Sequence, residues 1–564
     1  MANTRFREGL KAIGPAEYSE GIVASGHPLE AKAGLEILRN GGNAVDAAVA
    51  SAFVADLAEP AMCGLGAHGV MSIYWAETQK STVIDFYDLA PAAASTSIYQ
   101  SIDGQFSEKT KALGYPSVKD DRQFYGHRSV MVPSQVSGLC AAHGLFGSLP
   151  LSDLVKPAIS LARSGVAVDQ IMSRYISLTK HVWQKYPEMG TTFLKEKGEL
   201  VVRKDLSNTL ELIADYGADI FYRGIIADRI IDDMKTHEGI LSADDLASYE
   251  PIIYDSEQYT YKNCSYVTGG NVTLVEALNI LECFDIQPTD RDRLETIHLM
   301  IEAMKLSWAD TLAYVGDPRR NDSPWEGLTS KDYALIRAKE IDLHRATPFP
   351  KIGDPWIFDE RQPPEHQAWP LDNSRDRSGN TTKVVTMDRD GNVVSLITSL
   401  GTYFGSQVIV PETGVLLNNS MHRLDPRPGY LNSIGPRQGM QRLTASVITF
   451  EKDSPSAALA GSLSIFLGGM GFHPLVNMLD FKMDIQGAIN APRFHPVGNE
   501  VWVDDQMSSD IISGLQEMGH KLSVKRQRFG NTYFGNHVGI SYDRVSGKIY
   551  GGMDVLHNNA IQGL

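Results

Sequence analysis

The chain has 564 residues, of which 43% are hydrophobic and 21% charged, as expected for a globular protein with a large core. Its 52 basic and 68 acidic residues give a net charge of −16, which argues against a nucleic-acid partner because phosphate binding needs a clustered basic surface. No run approaches 18 apolar residues and no apolar signal segment is visible, so we expect a cytoplasmic protein without a membrane partner. Neither a disulfide framework nor a structural zinc site is predicted, because the four cysteines are far apart and form no CxxC pair: Cys63, Cys140, Cys264 and Cys283.

The first 90 residues alternate strand and helix signals. GIVASGH predicts a strand, and PLEAKAGLEILRNGG predicts a helix with Pro28 near its start. NAVDAAVASAFVADLAE predicts a second helix that is apolar on most faces and therefore buried. Two paired strands, HGVMSIYWA and STVIDFYDLAP, follow. From about 135 to 345 the apolar spacing near 3.6 residues predicts mostly helix.

Residues 345–380 contain six prolines and many charges without periodicity, which predicts an exposed and mobile segment. From 381 a β pattern returns, and it includes TTKVVTM, VVSLITSL, QVIV, GVLLNN, ASVITF and LSIFL. A helix is predicted at HPLVNMLDFKMDIQGAIN.

TTKVVTM and VVSLITSL flank Asp388-Arg389-Asp390-Gly391-Asn392, a sequence typical of a hairpin turn. A loop of three or five residues makes paired positions sum to 780 and places Thr381 opposite Ser399. A two-residue loop places Thr381 opposite Leu400 instead. A polar partner for a threonine at the strand end favours the odd loop.

The junction Asn380-Thr381 joins the irregular segment to this hairpin. An N-terminal threonine would carry both an attacking hydroxyl and a base, since its α-amine has an ordinary pKa near 8. The same hydroxyl could first attack the Asn380 carbonyl and so release that amine. Threonine is also common in strands for packing reasons alone, so this pattern by itself does not decide the matter.

Motifs along nearly the whole chain resemble the γ-glutamyltransferase (glutathione hydrolase) family of N-terminal-nucleophile hydrolases. They occur in the family order and include LRNGGNAVDAAVASAF, EPAMCGLGAHGVM, KPAISLARSGVAV, EAMKLSWADTLAYVGDP, NTTKVVTMDRDGNVVS, FGSQVIVPETGVLLNN and NAPRFHP.

The resemblance implies an α+β fold, a four-layer αββα sandwich made as a proenzyme. Cleavage would give a large chain, 1–380, and a small chain, 381–564, which stay together as one catalytic domain. Thr381 matches the family nucleophile, and Ser399 stands where the family usually has a threonine that hydrogen-bonds it. Gly468 and Gly469 match the glycine pair whose N–H groups stabilise the oxyanion. No metal or cofactor is expected.

Several positions depart from the family's glutamyl-binding pattern. Tyr87 replaces the arginine that clamps the substrate carboxylate, and tyrosine cannot make that bidentate contact. Gly401 replaces an asparagine that touches the substrate. Ser420 and Arg423 replace a glutamine or glutamate and the aspartate that holds the amino group. The family's serine pair becomes about Leu443-Thr444.

Two explanations remain open for these departures. A shift of the alignment by a residue or two could let Asp425 or Arg442 restore the pocket. Alternatively, the acyl specificity has changed towards an anionic group without a free amine. Related family branches with such pockets act on oxamate-like amides, on glutaryl or cephalosporin side chains, or on carbon–carbon bonds next to an oxalyl group.

The leading hypothesis is therefore a self-processing threonine hydrolase of a small, non-glutamyl amide. The alternatives are a γ-glutamyl hydrolase or transferase, a carbon–carbon bond hydrolase, and a homologue that never matures. His68 and His473 lie near family active-site segments, and we expect structural roles for both. Whether the protein forms a homo-oligomer is left open.

Overall fold

The computed structural model describes residues 15–564 except 103–104, 106, 108–109, 111–113, 290, 321–322, 349, 362, 364–379, 444, 463–470 and 531–532. The longer helices are α1 (Pro28–Arg39), α2 (Ala44–Ala58), Gln135–Phe146, Leu151–Ser164, Gln170–Thr179, Lys204–Tyr216, Ile225–Thr236, Val272–Glu282, Leu294–Tyr314, Lys331–Ala338, Phe472–Leu479 and Ser509–Glu517. Shorter ones are Pro187–Phe193, Asp219–Tyr222, Ala243–Ala247, Trp325–Thr329 and Ile485–Asn490.

The strands, in chain order, are β1 Ala16–Tyr18, β2 Gly21–Ser25, β3 His68–Trp75, β4 Lys80–Phe86, β5 Val166–Ala167, β6 Leu200–Val201, β7 Ile252–Asp255, β8 Tyr259–Tyr261, β9 Cys264–Thr268, β10 Asn380–Asp388, β11 Val393–Gly401, β12 Ala445–Glu451, β13 Ser454–Ser462, β14 Phe494–Val497, β15 Glu500–Asp504, β16 Leu522–Lys525, β17 Asn536–Asp543, β18 Lys548–Met553 and β19 Ala560–Gly563.

Two seven-stranded sheets form the centre of the fold. The first sheet has the order β19-β2-β10-β11-β3-β4-β7, so the predicted hairpin β10–β11 lies in its middle. The second has the order β1-β18-β17-β13-β12-β9-β8. The pairings within both sheets are antiparallel.

The alternation of side chains along the first sheet defines the layers. Val384, Val394 and Leu396 point to the core that α1 and α2 cover. Val385 and Ile397 point to a second core between the two sheets. Helices also cover the outer face of the second sheet, where 272–282, 294–314 and 472–479 contribute to a third core. The layers therefore run helix, sheet, sheet, helix.

Buried helix α2 is apolar on every side, as its composition predicts, and all fifteen of its residues are buried. Its start is fixed by a capping box in which the Asn43 side chain accepts from the backbone N–H of Asp46 and the Asp46 side chain accepts from the N–H of Asn43. This helix packs against the face of the first sheet that the hairpin residues Val384, Val394 and Leu396 line.

In the first part of the segment 345–380, for which the sequence predicts exposure, many described residues are exposed but some are packed. Trp356 is buried in the 3₁₀ helix Pro355–Phe358, and the N–H of Gly353 donates to Asp310 Oδ1 at 2.7 Å. The prolines and charges therefore correspond to an irregular backbone, part of which is packed against the rest of the protein. Most of the remainder, 364–379, lies outside the described residues.

Other sequence predictions also change in detail. QVIV and GVLLNN form isolated bridges, such as Ile409 to Leu416, instead of strands. The helix predicted from His473 is two helices, Phe472–Leu479 and Ile485–Asn490. Among the helices of the described residues, none combines the length and apolarity needed to cross a membrane.

Gly69 of β3 allows the close packing of the sheet around the hairpin. A Cβ at this position would lie 2.2 Å from the carbonyl oxygen of Ile397 and 2.7 Å from the Phe86 ring.

We predict that Gly69→Ala destabilises the protein by about 1–3 kcal/mol, because neither neighbour can move easily inside the core. Thermal unfolding would measure this, with Gly144→Ala as the matched control. Gly144 is exposed on a helix with open space around it, so its replacement should leave stability unchanged or slightly higher. Equal midpoints for the two variants would contradict this view of Gly69.

Candidate active site

The register of the hairpin agrees with the odd-loop prediction. Thr382 pairs with Thr398 and Met387 with Val393, so positions sum to 780 along this body. Gly391 has a φ of +87°, and its N–H donates to the Asp388 carbonyl to close the turn. At the open end Asn380 pairs with Gly401, so the register shifts by one residue and Thr381 lies in a bulge. Bulges of this kind redirect a side chain at a sheet end.

Ser399 contacts the junction directly. Its hydroxyl donates a short hydrogen bond to the carbonyl oxygen of Asn380. The N–H of Gly401 donates to Ser399 Oγ at 3.0 Å and so orients the hydroxyl. The bond between Asn380 and Thr381 is thus polarised by a hydroxyl donor, the arrangement that stabilises negative charge on a carbonyl oxygen. Ser399, which the sequence places opposite Thr381, therefore contacts Asn380.

A row of side chains crosses the first sheet from this point. Ser399 pairs with His68 of β3, and the rings of His68 and Tyr87 lie 5.0 Å apart. Ser395, two residues before Ser399, donates to a carbonyl of the opposite sheet. By strand alternation, Ser399 therefore faces the space between the two sheets. Ser399, His68 and Tyr87 line one edge of that space.

His68 is held from below by polar groups. Its Nδ1 lies 3.1 Å from Asp88 Oδ2 and 3.1 Å from the Ser420 hydroxyl. Asp88 is fully buried, and His68 is its near polar neighbour. The structure thus gives His68 a defined orientation in this row, which the residue pattern alone did not reveal.

Arg442 occupies the position next to Tyr87. Its guanidinium carbon lies 4.3 Å from the centre of the Tyr87 ring, and its Nε donates to Asp85 Oδ2 at 2.7 Å. Burial disfavours the charge of Arg442, but Asp85 and Asp317 outweigh it, so the guanidinium pKa is raised. Within the described part of the chain, its Nη2 has no hydrogen-bond partner. A buried guanidinium therefore stands over the tyrosine that replaces the family arginine.

Asp425, the other residue considered for restoring the pocket, does not do so. Its carboxylate accepts two hydrogen bonds from Arg427, at 3.0 Å from Nε and 2.6 Å from Nη2. That pairing neutralises the charge that an amino group would need.

Gly401 leaves space that the Asn419 side chain and the edge of the His422 ring occupy. A Cβ built on Gly401 would lie 2.4 Å from Asn419 Oδ1 and 3.1 Å from His422 Cε1. Gly401 also has a φ of +100°, which a residue with a side chain rarely adopts. Ser420, His422 and Arg423 share the short 3₁₀ helix Ser420–Arg423, which brings Ser420 to His68 and the His422 ring close to Gly401.

Behind the hairpin lies a buried charged group. The Thr382 hydroxyl donates to Glu59 at 2.5 Å. Burial raises the pKa of Glu59, but Lys383, His557 and the Thr382 hydroxyl outweigh it and hold that pKa below its usual range. Glu30 is the opposite case, since burial and the neighbouring Glu59 raise its pKa well above the usual range. These residues anchor β10 next to the junction, and the sequence motifs gave no separate signal for them.

Three predicted site residues cannot be compared with the structure. Gly468, Gly469 and Thr444 lie outside the described residues. The structure does bring together Asn380, Ser399, Gly401, Ser420 and Tyr87. His473 is buried in the core behind the second sheet, as expected for a structural residue.

Comparison with known proteins decides the family. A family model described as gamma-glutamyltranspeptidase matches residues 31–563. The chain belongs to the γ-glutamyltranspeptidase family. It is therefore an N-terminal-nucleophile hydrolase or acyltransferase, and the expected α+β fold of a proenzyme with large and small chains is confirmed.

Relatives in this family carry different names. A glutathione hydrolase proenzyme of Bacillus subtilis (strain 168) is 31% identical, over 97% of this chain and 92% of the relative. An acylase ACY 1 proenzyme of Pseudomonas sp. (strain SE83) is 30% identical, over 90% of this chain and 88% of the relative. Among solved structures, a cephalosporin acylase from Bacillus halodurans superimposes with a TM-score of 0.85 at 27% identity, covering 100% of this chain and 99% of the other.

The contact between Ser399 and the Asn380 carbonyl leads to a prediction about maturation. We predict that Ser399→Ala slows the split of the 61.9 kDa chain by about 10²–10³-fold, because the donor to the developing oxyanion is lost. Ser399→Thr should split at nearly the original rate, since the hydroxyl remains. Denaturing gels at timed intervals after synthesis would measure both. A Ser399→Ala chain that splits as fast as the Thr variant would contradict the role given to this hydroxyl.

Proposed function

We propose that the chain cuts itself between Asn380 and Thr381 and then uses Thr381 to hydrolyse a small amide with an anionic, non-glutamyl acyl group. Thr381 Oγ would attack the amide carbon and form an acyl ester, while the freed α-amine accepts the proton and passes it to the leaving amine. Water would then release the acid. We place this activity in the cytoplasm, in keeping with the sequence.

The observation that carries the proposal is the hydrogen bond from Ser399 to the Asn380 carbonyl. This hydroxyl points at the carbonyl of the peptide bond that precedes Thr381, at the bulged end of a central strand. Its direction is the one needed to stabilise an oxyanion. After the split, the same hydroxyl would remain beside Thr381.

The charges around the junction support an anionic acyl group. Arg442 presents a buried N–H group with no partner in the described part of the chain, close to Tyr87. Arg423 lies on the helix beside the junction, where the family aspartate would hold an amino group. A buried cationic donor binds a carboxylate well, because charge-assisted hydrogen bonds are the stronger ones. An ammonium group would find Asp425 already engaged by Arg427.

A γ-glutamyl activity is the second candidate, and one observation favours it. Several relatives of this chain, including those from Bacillus subtilis and Escherichia coli, are named glutathione hydrolase proenzyme. The acylase names of other relatives favour the first candidate in the same way. Acyl specificity must therefore be decided by experiment on this chain.

The test is to identify the acyl group that Thr381 accepts. The mature protein would be mixed with a panel of amides that includes glutaryl, oxamyl and γ-glutamyl derivatives, quenched in acid and analysed by mass spectrometry. We expect an adduct from an anionic acyl group on the fragment that begins at Thr381. Glutathione hydrolysis with ordinary efficiency would establish the second candidate, and an unsplit chain that forms no adduct would refute both.

Arg442 offers a sharper prediction about the substrate. We predict that Arg442→Lys lowers kcat/KM for an amide with a terminal carboxylate by about 10–100-fold, because a charged hydrogen bond contributes about 1.5–3 kcal/mol. Lysine keeps a positive charge beside Asp85 but loses the planar fork of donors.

A matched amide with a methyl group in place of the carboxylate provides the control. Its hydrolysis should change little between the two proteins. If both amides lose activity equally, Arg442 supports the fold of the site instead of binding the acyl group.

A further inference from the structure

Two histidines and an aspartate from separate parts of the chain meet in a region that the proposed reaction does not use. His127 lies in the 3₁₀ helix His127–Ser129. Asp233 lies in the last turn of the helix Ile225–Thr236, and His237 follows that helix directly. Each of the three side chains offers one metal-ligating atom, and these atoms all lie within 4.8 Å of one another.

Both imidazoles face the same carboxylate, one at each oxygen. His127 Nε2 lies 2.8 Å from Asp233 Oδ2, and His237 Nδ1 lies 3.0 Å from Asp233 Oδ1. The two rings are nearly parallel, with an angle of 11° between their planes and 4.4 Å between their centres. Two ring nitrogens and a carboxylate therefore enclose one small volume.

This set of atoms is one that divalent transition-metal ions prefer. Imidazole nitrogen and carboxylate oxygen bind Zn²⁺ at about 2.0–2.2 Å, and such a bond length places the ligand atoms of a tetrahedral ion about 3.3 Å apart. The distances of 2.8 and 3.0 Å are somewhat shorter, so an ion requires a small outward movement of a ring. The His237 ring can make this movement, because its side chain is 53% exposed.

The surroundings of Asp233 favour a cation. Its side chain is only 8% exposed, and a carboxylate with little access to water gains from a positive partner. The helix Ile225–Thr236 ends at this point, and the carbonyl groups at a helix C-terminus also attract positive charge. Solvent reaches the group from the side of His237, which gives an ion a path of entry.

The arginines on the neighbouring loops are directed to a different carboxylate. Arg128, which follows His127, places Nη2 at 3.3 Å from Glu238 Oε2. Arg122 Nη1 lies 3.7 Å from the same oxygen. Within the part of the chain that the structure describes, the ion pairs of Asp233 are those with the two histidines.

A second group with the same kinds of ligand shows the contrast. His298, Glu302 and His520 are buried together, but Lys305 Nζ lies 2.7 Å from Glu302 Oε1 and 3.4 Å from His520 Nδ1. An ammonium thus already occupies the position that a metal ion would take. His298 uses both ring nitrogens, at 2.8 Å from His520 Nε2 and 2.8 Å from the Asp342 carbonyl. That group is a closed hydrogen-bond network with its own cation.

We propose that His127, Asp233 and His237 bind a divalent transition-metal ion such as Zn²⁺, with water in the remaining coordination position. The ion takes the place of the hydrogens that lie between the rings and the carboxylate, and each neutral ring keeps its one proton on the other nitrogen. His237 gives up the contact between Nδ1 and the Asp233 carbonyl oxygen, which is 3.0 Å long. The ligands come from two segments that are about a hundred residues apart.

The bound ion would join the helix Ile225–Thr236 to a segment that supports the candidate active site. In that segment the N–H of Gly126 donates to the Ser406 carbonyl at 2.8 Å. The N–H of Met131 donates to Asn418 Oδ1 at 3.0 Å, two residues before Ser420. The role of the ion is therefore structural, and it does not depend on cleavage at Asn380-Thr381.

The experiment measures zinc binding to the full chain without an affinity tag. The protein would be stripped with a chelator, incubated with Zn²⁺ and passed through gel filtration, and the retained metal measured by mass spectrometry. We expect one Zn²⁺ for each chain. Zinc at about 100 times its Kd should also raise the thermal midpoint by about 2 °C, because the ion binds only the folded protein.

Three variants locate the ion. His237→Gln should weaken zinc binding at least about 100-fold, since even the loss of an outer partner of a ligand costs 10–100-fold. Asp233→Asn should do the same, because it removes the charge and keeps the shape. His181→Gln is the matched control, since His181 is an exposed histidine in the 3₁₀ helix Lys180–Lys185, and it should bind zinc as the unaltered chain does.

Two results would overturn the proposal. One is an unaltered chain that retains no zinc after gel filtration. The other is a His237→Gln chain, shown to be folded by circular dichroism, that retains as much zinc as the unaltered chain, because the ion would then lie elsewhere. Neither result bears on the proposed hydrolase activity, which is measured separately.

Discussion

The hydrogen bond between Ser399 and the Asn380 carbonyl is the contact on which the rest of this site depends. It requires two strands in register up to Thr382 and a shift of one residue beyond it. The register in turn is fixed from both sides, because β10 and β11 are flanked by β2 and β3 and backed by α2. A slip of one residue would turn Ser399 away from the space between the sheets. The packing of the buried layers thus keeps the Asn380 carbonyl in contact with the Ser399 hydroxyl.

Charges in a dry interior impose the second constraint. Buried charged groups near the hairpin are placed beside groups from distant parts of the chain, as Arg442 is beside Asp85 and Lys383 beside Glu59. Arg442 reaches the Tyr87 ring from the residues just before β12, in the opposite sheet. A positive charge therefore lies beside Tyr87 although it comes from a distant part of the chain.

Much of this arrangement could be predicted from sequence because it is local. The odd loop after Asp388 determines the pairing of β10 with β11, and the apolar surface of α2 determines its burial. What could not be predicted depends on contacts over long distances in the chain. Nothing in the sequence near Gly401 indicates that the Asn419 side chain packs against it. Similarly, the proline-rich path around Trp356 looks exposed until the pocket that buries it is known.

The packing around Gly401 connects the local pattern to the long-range contacts. A Cβ at position 401 would lie 2.4 Å from Asn419 Oδ1 and 3.1 Å from His422 Cε1, so a side chain there would displace the start of the helix Ser420–Arg423. That helix carries Ser420, whose hydroxyl lies 3.1 Å from His68 Nδ1. Gly401 also pairs with Asn380, and its N–H donates to Ser399 Oγ. The absence of a side chain at position 401 therefore supports both the geometry of the junction and the position of the polar residues next to it.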